Sequence, residues 1–186
     1  MRLFLAIPLP PDLAARAFEI LPTSLPALRR VKAENLHVTL AFLGQTPDER
    51  LDDVTAAARE AALPVSPFRL SFDRVGRFPE RGRPRVVWLG IGDGEASVAK
   101  LGAGVHAGLR SRDLPFDDRP LEPHLTLARV AEDARAAEAK TVGAALETLP
   151  VPSLGFEATG IAVVQSVLSP KGPRYTALAT VPLAHK

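Results

Sequence analysis

A five-residue pattern occurs twice in this chain, as His37-Val38-Thr39-Leu40-Ala41 and, 87 residues later, as His124-Leu125-Thr126-Leu127-Ala128. Polar and apolar residues alternate through the first four positions of each copy, which is the period of a β-strand with one buried face. On such strands His37 and Thr39 share one face against Leu36, Val38 and Leu40, and His124 and Thr126 stand likewise against Leu125 and Leu127. A fold that accepts both copies must bury two apolar strand faces and present two imidazole–hydroxyl pairs on the faces opposite. Packing of two halves about a pseudo-two-fold axis would set those pairs across one cleft.

The surroundings of the two copies repeat as well. Arg2 to Ile7 reads as a strand and Pro11 to Leu21 as a helix closed by Pro22 and Pro26, ahead of the strand Asn35 to Gly44. Thr46-Pro47-Asp48-Glu49 reads as a capping box with Pro at the first helical position, so a helix is expected from Pro47 to Ala62. The strand Phe68 to Phe78 ends that half. After the turn Pro79-Glu80-Arg81-Gly82-Arg83-Pro84, the order resumes with a strand from Arg85 to Ile91, a helix from Gly94 to Arg112, the strand His124 to Val130 and a helix from Ala134 to Leu149. Two last strands, Gly155 to Leu168 and Tyr175 to Leu183, flank the turn Ser169-Pro170-Lys171-Gly172-Pro173. The expectation is one α+β domain over residues 1–186 made of duplicated halves, about 1–80 and 84–186, with no linker between them.

Composition removes several chemistries. With 186 residues, 46% of them hydrophobic, the chain can bury a core, but it has no cysteine. Disulfide frameworks, cysteine-ligated zinc, iron–sulfur clusters and thiol catalysis are excluded. Pro8, Pro10 and Pro11 cut short the opening apolar run before it reaches the length of a secretory core or a membrane span, so a soluble cytoplasmic protein is expected; a monomer is expected as well. Eighteen of the 23 cations are arginine, the residue suited to bidentate phosphate recognition, and six stand between Arg69 and Arg85 (Arg69, Arg74, Arg77, Arg81, Arg83, Arg85). That run is a candidate basic patch for an anionic partner.

Other residues carry weaker signals. The glycines of Gly102-Ala103-Gly104-Val105-His106-Ala107-Gly108 do not fit a dinucleotide-binding loop and fall inside an expected helix. His106 and His185 have no matching partners, the first reading as helix surface and the second as tail. Trp88, between Val87 and Leu89, reads as core. Asp117 and Asp118 precede His124 without the spacing of a metal site, so no metal or other cofactor is expected.

Two histidines at one cleft can serve as a matched acid and base near neutral pH. Threonine hydroxyls can hold phosphoryl oxygens while staying neutral. Such a site suits metal-free, in-line displacement at a phosphodiester. Two other readings stay open: a non-catalytic module in which the His-Thr pairs only grip the phosphate of an RNA end, and a phosphodiesterase for small cyclic or 2′-5′-linked nucleotides.

The chain also resembles the 2H phosphoesterases, and within them the bacterial RNA 2′,3′-cyclic phosphodiesterase (2′-5′ RNA ligase) family. The likeness rests on Arg2 to Pro10, on Glu34 to Gly44 with the first motif, and on Val75-Gly76-Arg77-Phe78-Pro79 followed by Pro84-Arg85-Val86-Val87-Trp88. It continues through Pro123 to Arg129 with the second motif and the closing turn Lys171-Gly172-Pro173-Arg174-Tyr175. The resemblance implies a bilobal α+β fold in which two antiparallel sheets line a cleft and helices lie outside. It implies opening of a 2′,3′-cyclic phosphate, on RNA or on a cyclic nucleotide, to a 2′-phosphate and a free 3′-hydroxyl, with reversible 2′-5′ RNA ligation as a second activity. In that scheme His124 activates water and His37 protonates the departing 3′-oxygen. Thr39 and Thr126 hold phosphoryl oxygens and Arg129 neutralises developing charge. Phe42 matches a position associated with the terminal base, although strict alternation from His37 would turn it to the opposite, core-facing side.

Overall fold

The computed structural model describes residues 1–170 and 172–184. Lys171 of the closing turn and His185 of the tail lie outside the described residues. Among those described, the chain forms β1 (Arg2–Pro8), α1 (Pro11–Phe18), β2 (Leu28–Arg30), β3 (His37–Gln45), α2 (Leu51–Ala62), β4 (Phe68–Phe78), β5 (Val86–Ile91), α3 (Glu95–Arg110), β6 (His124–Val130), α4 (Ala136–Glu147), β7 (Leu154–Ala158), β8 (Gly160–Ser169) and β9 (Gly172–Pro182).

The strands form an antiparallel sheet in the order β7-β4-β5-β6-β3-β1-β8-β9, with β2 beside β6. Four strands on each side of the β6/β3 junction make two lobes, and they meet through a single residue pair, Val38 with Leu125. The expected pair of sheets is therefore one sheet narrowed to a hinge-like seam. Each lobe takes strands from both halves of the chain. β4 leaves the first half to pair with β5, and β8 returns from the second half to pair with β1. Exchange of these strands keeps the sheet order symmetric about the β3/β6 seam.

Apolar side chains on one sheet face meet all four helices in the main core, which includes Leu5, Leu40, Leu89 and Leu125 from strands and Val54, Leu101, Leu109 and Val142 from helices. Two α3 glycines serve this packing, Gly104 against Ala61 and Gly108 against Ala57: a Cβ on Gly108 would stand 2.9 Å from the Ala57 Cβ of α2. Their role is close helix approach. A smaller apolar cluster, Phe4, Ala6, Ala162 and Val164 with Tyr175 against it, lies on the other face of β1 and β8.

Two expected elements differ. The helix expected from Pro47 begins at Leu51, after a 3₁₀ turn over Asp48–Arg50. Thr46 does not cap it, because its N–H pairs with the Met1 carbonyl at 2.7 Å and its hydroxyl donates to Gly44 O at 3.3 Å, extending the β1–β3 pairing. The expected strand Gly155 to Leu168 is two strands on opposite sides of the sheet, β7 beside β4 and β8 beside β1. The crossing occurs at Thr159, and alternation of side chains carries no record of a change of partner.

Candidate active site

Val38 and Leu125 are the central residues of the two His-x-Thr motifs, so the seam of the sheet joins the repeats at equivalent points. Counting outward in the antiparallel register sets His37 against Thr126 and His124 against Thr39. All four polar residues are half-buried, while Val38, Leu40, Leu125 and Leu127 are buried. Each histidine opens its strand, and from the seam the two strands run apart in opposite directions. The freed edge of β6 is covered by β2, and the freed edge of β3 receives the Asp117 N–H at Phe42 O, 2.8 Å.

A β-bulge lies just beyond each motif at the same place. On β3, Thr39 pairs with Ala6 and Ala41 with Leu5, leaving Leu40 as the extra residue. On β6, Thr126 pairs with Trp88 and Ala128 with Val87, leaving Leu127. One extra residue reverses the parity of the rest of the strand. Phe42 is thereby turned away from the core and is 52% exposed, and Arg129, the same five residues after its own histidine, is also exposed. The strict alternation that placed Phe42 on the core side is corrected by this bulge. Its ring stands 6.0 Å from that of Phe4, which is itself 4.7 Å from His37.

Both imidazoles are held alike. His37 Nδ1 donates to the Asn35 carbonyl at 2.7 Å, and His124 Nδ1 donates to the Glu122 carbonyl at 2.6 Å. A carbonyl can only accept, so Nδ1 carries the proton and Nε2 of the neutral ring keeps its lone pair for chemistry. Aromatic residues back each ring: Phe4 and Tyr175 beside His37, with Tyr175 edge-on at 5.5 Å, and Phe78 and Trp88 beside His124, at 5.2 and 6.2 Å. Burial pushes the His37 pKa down, the Asn35 hydrogen bond opposes this, and the neighbouring His124 charge lowers it further. Burial raises the Tyr175 pKa, against the pull of Arg129 and Arg2.

The six residues singled out from sequence, His37, Thr39, Phe42, His124, Thr126 and Arg129, thus gather along the seam and its two outgoing strands. Phe4, Phe78 and Tyr175 carry no signal of their own in the sequence, although each lies in a segment that bears the family likeness. Trp88 is absent from the core: it is half-buried on the His124 side, its six-membered ring lying where a Cβ on Gly76 would stand. His106 is not merely helix surface, since its Nε2 lies 3.0 Å from the carbonyl of Leu40, the bulged residue, and its ring packs 4.7 Å from Phe116. The arginine run does not form one patch: β4 turns Arg74 and Arg77 to different sides, and Arg83 in the turn that follows reaches another part of the chain. Arg74 lies over Gly90 on the His124 side, Arg77 reaches toward Gly143 of α4, and Arg83 donates to the carbonyls of Ala131, Glu132 and Ala134. Asp117 and Asp118 pair with Arg119 and Arg110, and among the described residues no three His, Asp or Glu side chains are grouped to hold a metal ion. No helix among the described residues is long and apolar enough to cross a membrane.

The sequence profile of the 2′-5′ RNA ligase superfamily matches residues 9–168. The RNA 2′,3′-cyclic phosphodiesterase of Thermus thermophilus is 37% identical over 186 residues, covering 96% of this chain and 88% of that protein. The enzyme of the same name from Archaeoglobus fulgidus is 33% identical over 179 residues, covering 94% and 96%. Among solved structures, a Thermus thermophilus protein superposes with a TM-score of 0.78 at 32% identity, covering 98% of both chains. Escherichia coli LigT complexed with 3′-AMP superposes with a TM-score of 0.76 at 26% identity, covering 99% of this chain and 98% of that one. Agreement in sequence over this span, and in fold over nearly all of the chain, makes the protein a member of the 2′-5′ RNA ligase superfamily.

Proposed function

We propose that this protein opens 2′,3′-cyclic phosphate ends of RNA, and of the corresponding nucleotides, to a 2′-phosphate and a free 3′-hydroxyl, and runs 2′-5′ RNA ligation by the reverse use of the same groups. The observation that carries this reading is the meeting of two equivalent His-x-Thr strands at one residue pair, with both Nδ1 atoms tied to carbonyls and both Nε2 atoms left for proton transfer. Names of the similar proteins from Thermus thermophilus and Archaeoglobus fulgidus support it.

In the hydrolytic direction His124 Nε2 takes the proton of the attacking water and His37 Nε2 gives one to the departing 3′-oxygen. Thr39 and Thr126 donate to the non-bridging oxygens, and Arg129 offsets charge that builds up in the transition state. Phe42 offers a face for the terminal base. This donor set supplies acid, base and anion stabilisation without a metal. Burial lowers the His37 pKa, and a phosphate anion bound beside the ring acts in the opposite direction by favouring its charged form. Both His-Thr pairs come from one chain, so the cleft is complete in a monomer, which works in the cytoplasm alongside its RNA substrates.

The test is incubation of the purified protein with a short RNA ending in 2′,3′-cyclic phosphate, in the presence of EDTA. A 2′-phosphate product is expected. A 3′-phosphate product, dependence on added metal, or full turnover by the His37→Ala, His124→Ala double variant overturns the reading.

A further inference from the structure

Beside His124 lies a feature that hydrolysis does not use. Trp88 projects from β5 on the side of the sheet that carries His124 and Thr126, and its ring rests on the backbone of Gly76 in β4. Trp88 is half-buried, so part of it remains open to solvent. Phe78 extends the surface, 5.1 Å from Trp88 and inclined by 36°, and its own ring meets His124 edge-on at 5.2 Å. The Trp88 indole nitrogen is the one buried side-chain nitrogen or oxygen without a hydrogen bond among the described residues. Native interiors seldom leave such a donor unpaired, so packing alone is a poor account of an indole here.

In-line displacement sets the entering and leaving oxygens on opposite sides of phosphorus. His37 attends the leaving 3′-oxygen, so the ribose that bears the cyclic phosphate, and its base, belong on the side of Phe4, Phe42 and Tyr175. The entering oxygen belongs on the His124 side. We propose that the Phe78–Trp88 shelf is the subsite for the nucleobase of an RNA 5′-hydroxyl end that enters in place of water. In that step the 5′-oxygen bonds to phosphorus and passes its proton to His124 Nε2, while the P–O3′ bond breaks and O3′ takes the proton of His37. The product is a 2′-5′ phosphodiester with a free 3′-hydroxyl, and the reverse sequence cleaves it. This inference rests on the phosphodiesterase reading above.

Trp88 is the only tryptophan in the chain, so its fluorescence reports on this shelf directly. Titration of 2′-5′-linked diadenylate onto the His37→Ala protein is expected to quench the emission, whereas adenosine 2′-phosphate, which carries no second base, leaves it unchanged. Equal quenching by both, or by neither, overturns the proposal. A second measurement uses an RNA with a cyclic phosphate end mixed with an RNA bearing a 5′-hydroxyl, and takes the ratio of joined to hydrolysed product. Trp88→Leu is expected to lower that ratio about tenfold, the scale of one lost base stack, and Trp88→Phe to restore most of it. Damage to the fold or to His124 falls on both products and leaves the ratio untouched, so an unchanged ratio also overturns the proposal. Failure of the cyclic phosphate to open at all sinks the phosphodiesterase reading instead, and the fluorescence titration then decides the shelf alone.

Discussion

The two lobes carry one device built twice and finished differently. Each has a histidine held through Nδ1 by the carbonyl two residues earlier, a threonine two residues on, and a bulge at the fourth motif position. At the fifth residue after the histidine one lobe places Phe42 and the other Arg129. The bulged carbonyls are also satisfied by different means. His106 meets Leu40 O at 3.0 Å, while the Val31 N–H donates to Leu127 O at 2.8 Å. The repeated part is therefore the backbone geometry that holds an imidazole and a hydroxyl on one face of each strand, and the residue five positions after the histidine is the part that differs.

The largest expected effect tests the shared part. His37→Ala and His124→Ala should each lower kcat for a cyclic nucleotide by roughly 10²–10⁴, the usual range for a lost general acid or base. A variant within about tenfold of wild type would show that the repeat is equal in form only. The next test separates the lobes. Arg129→Ala should cost about 10² in kcat, because its charge matters most in the transition state, whereas Phe42→Ala should raise KM about tenfold and leave kcat nearly unchanged. Similar KM-against-kcat splits for both would erase the proposed division of labour.

A smaller effect probes the two bulges. His106→Ala leaves the Leu40 carbonyl without its imidazole partner, at a cost of about 1–3 kcal/mol, and the melting temperature should fall by roughly 2–4 °C for each kcal/mol. Loosening of the bulge should also raise KM in the manner of Phe42→Ala. An unchanged KM would show that the β3 register holds without His106.

The smallest expected effect is electrostatic. His37 should titrate below the ordinary histidine value of 6.5 when monitored by NMR, and His124→Ala should move it up slightly, since burial outweighs the His124 charge. Linkage gives its sign for stability. The unfolded chain protonates His37 near the ordinary value and the folded one only at lower pH, so this group's contribution is full above 6.5 and is lost as pH falls through the lowered value. Titration at or above 6.5 would show that burial does not hold the His37 proton off.

Much of the site is legible in the sequence because its chemistry is local. The His-x-Thr pairs, the apolar partners at Val38 and Leu125, and the strands that hold them are set by alternation within a few residues. Phe42 is harder, since a bulge depends on how β1 lines up against β3 and leaves no mark in the spacing of β3 itself. Trp88 reads as core because its neighbours Val87 and Leu89 are core, and only its pairing with Thr126 shows which face it takes. The capping box at Thr46 loses to a strand pairing that a local pattern cannot weigh.

By itself the sequence determined that two equivalent strands exist, that each offers an imidazole and a hydroxyl opposite an apolar face, and that no thiol takes part. These are short-range properties of residue type and period. Tertiary structure alone decided that β4 and β8 change places, that the motifs meet at one residue pair, and that Phe42 and Arg129 turn outward beside them. Those outcomes depend on strand partners far apart in the chain, and pairing energy is set by the contacts made between strands, which the period of either strand does not contain.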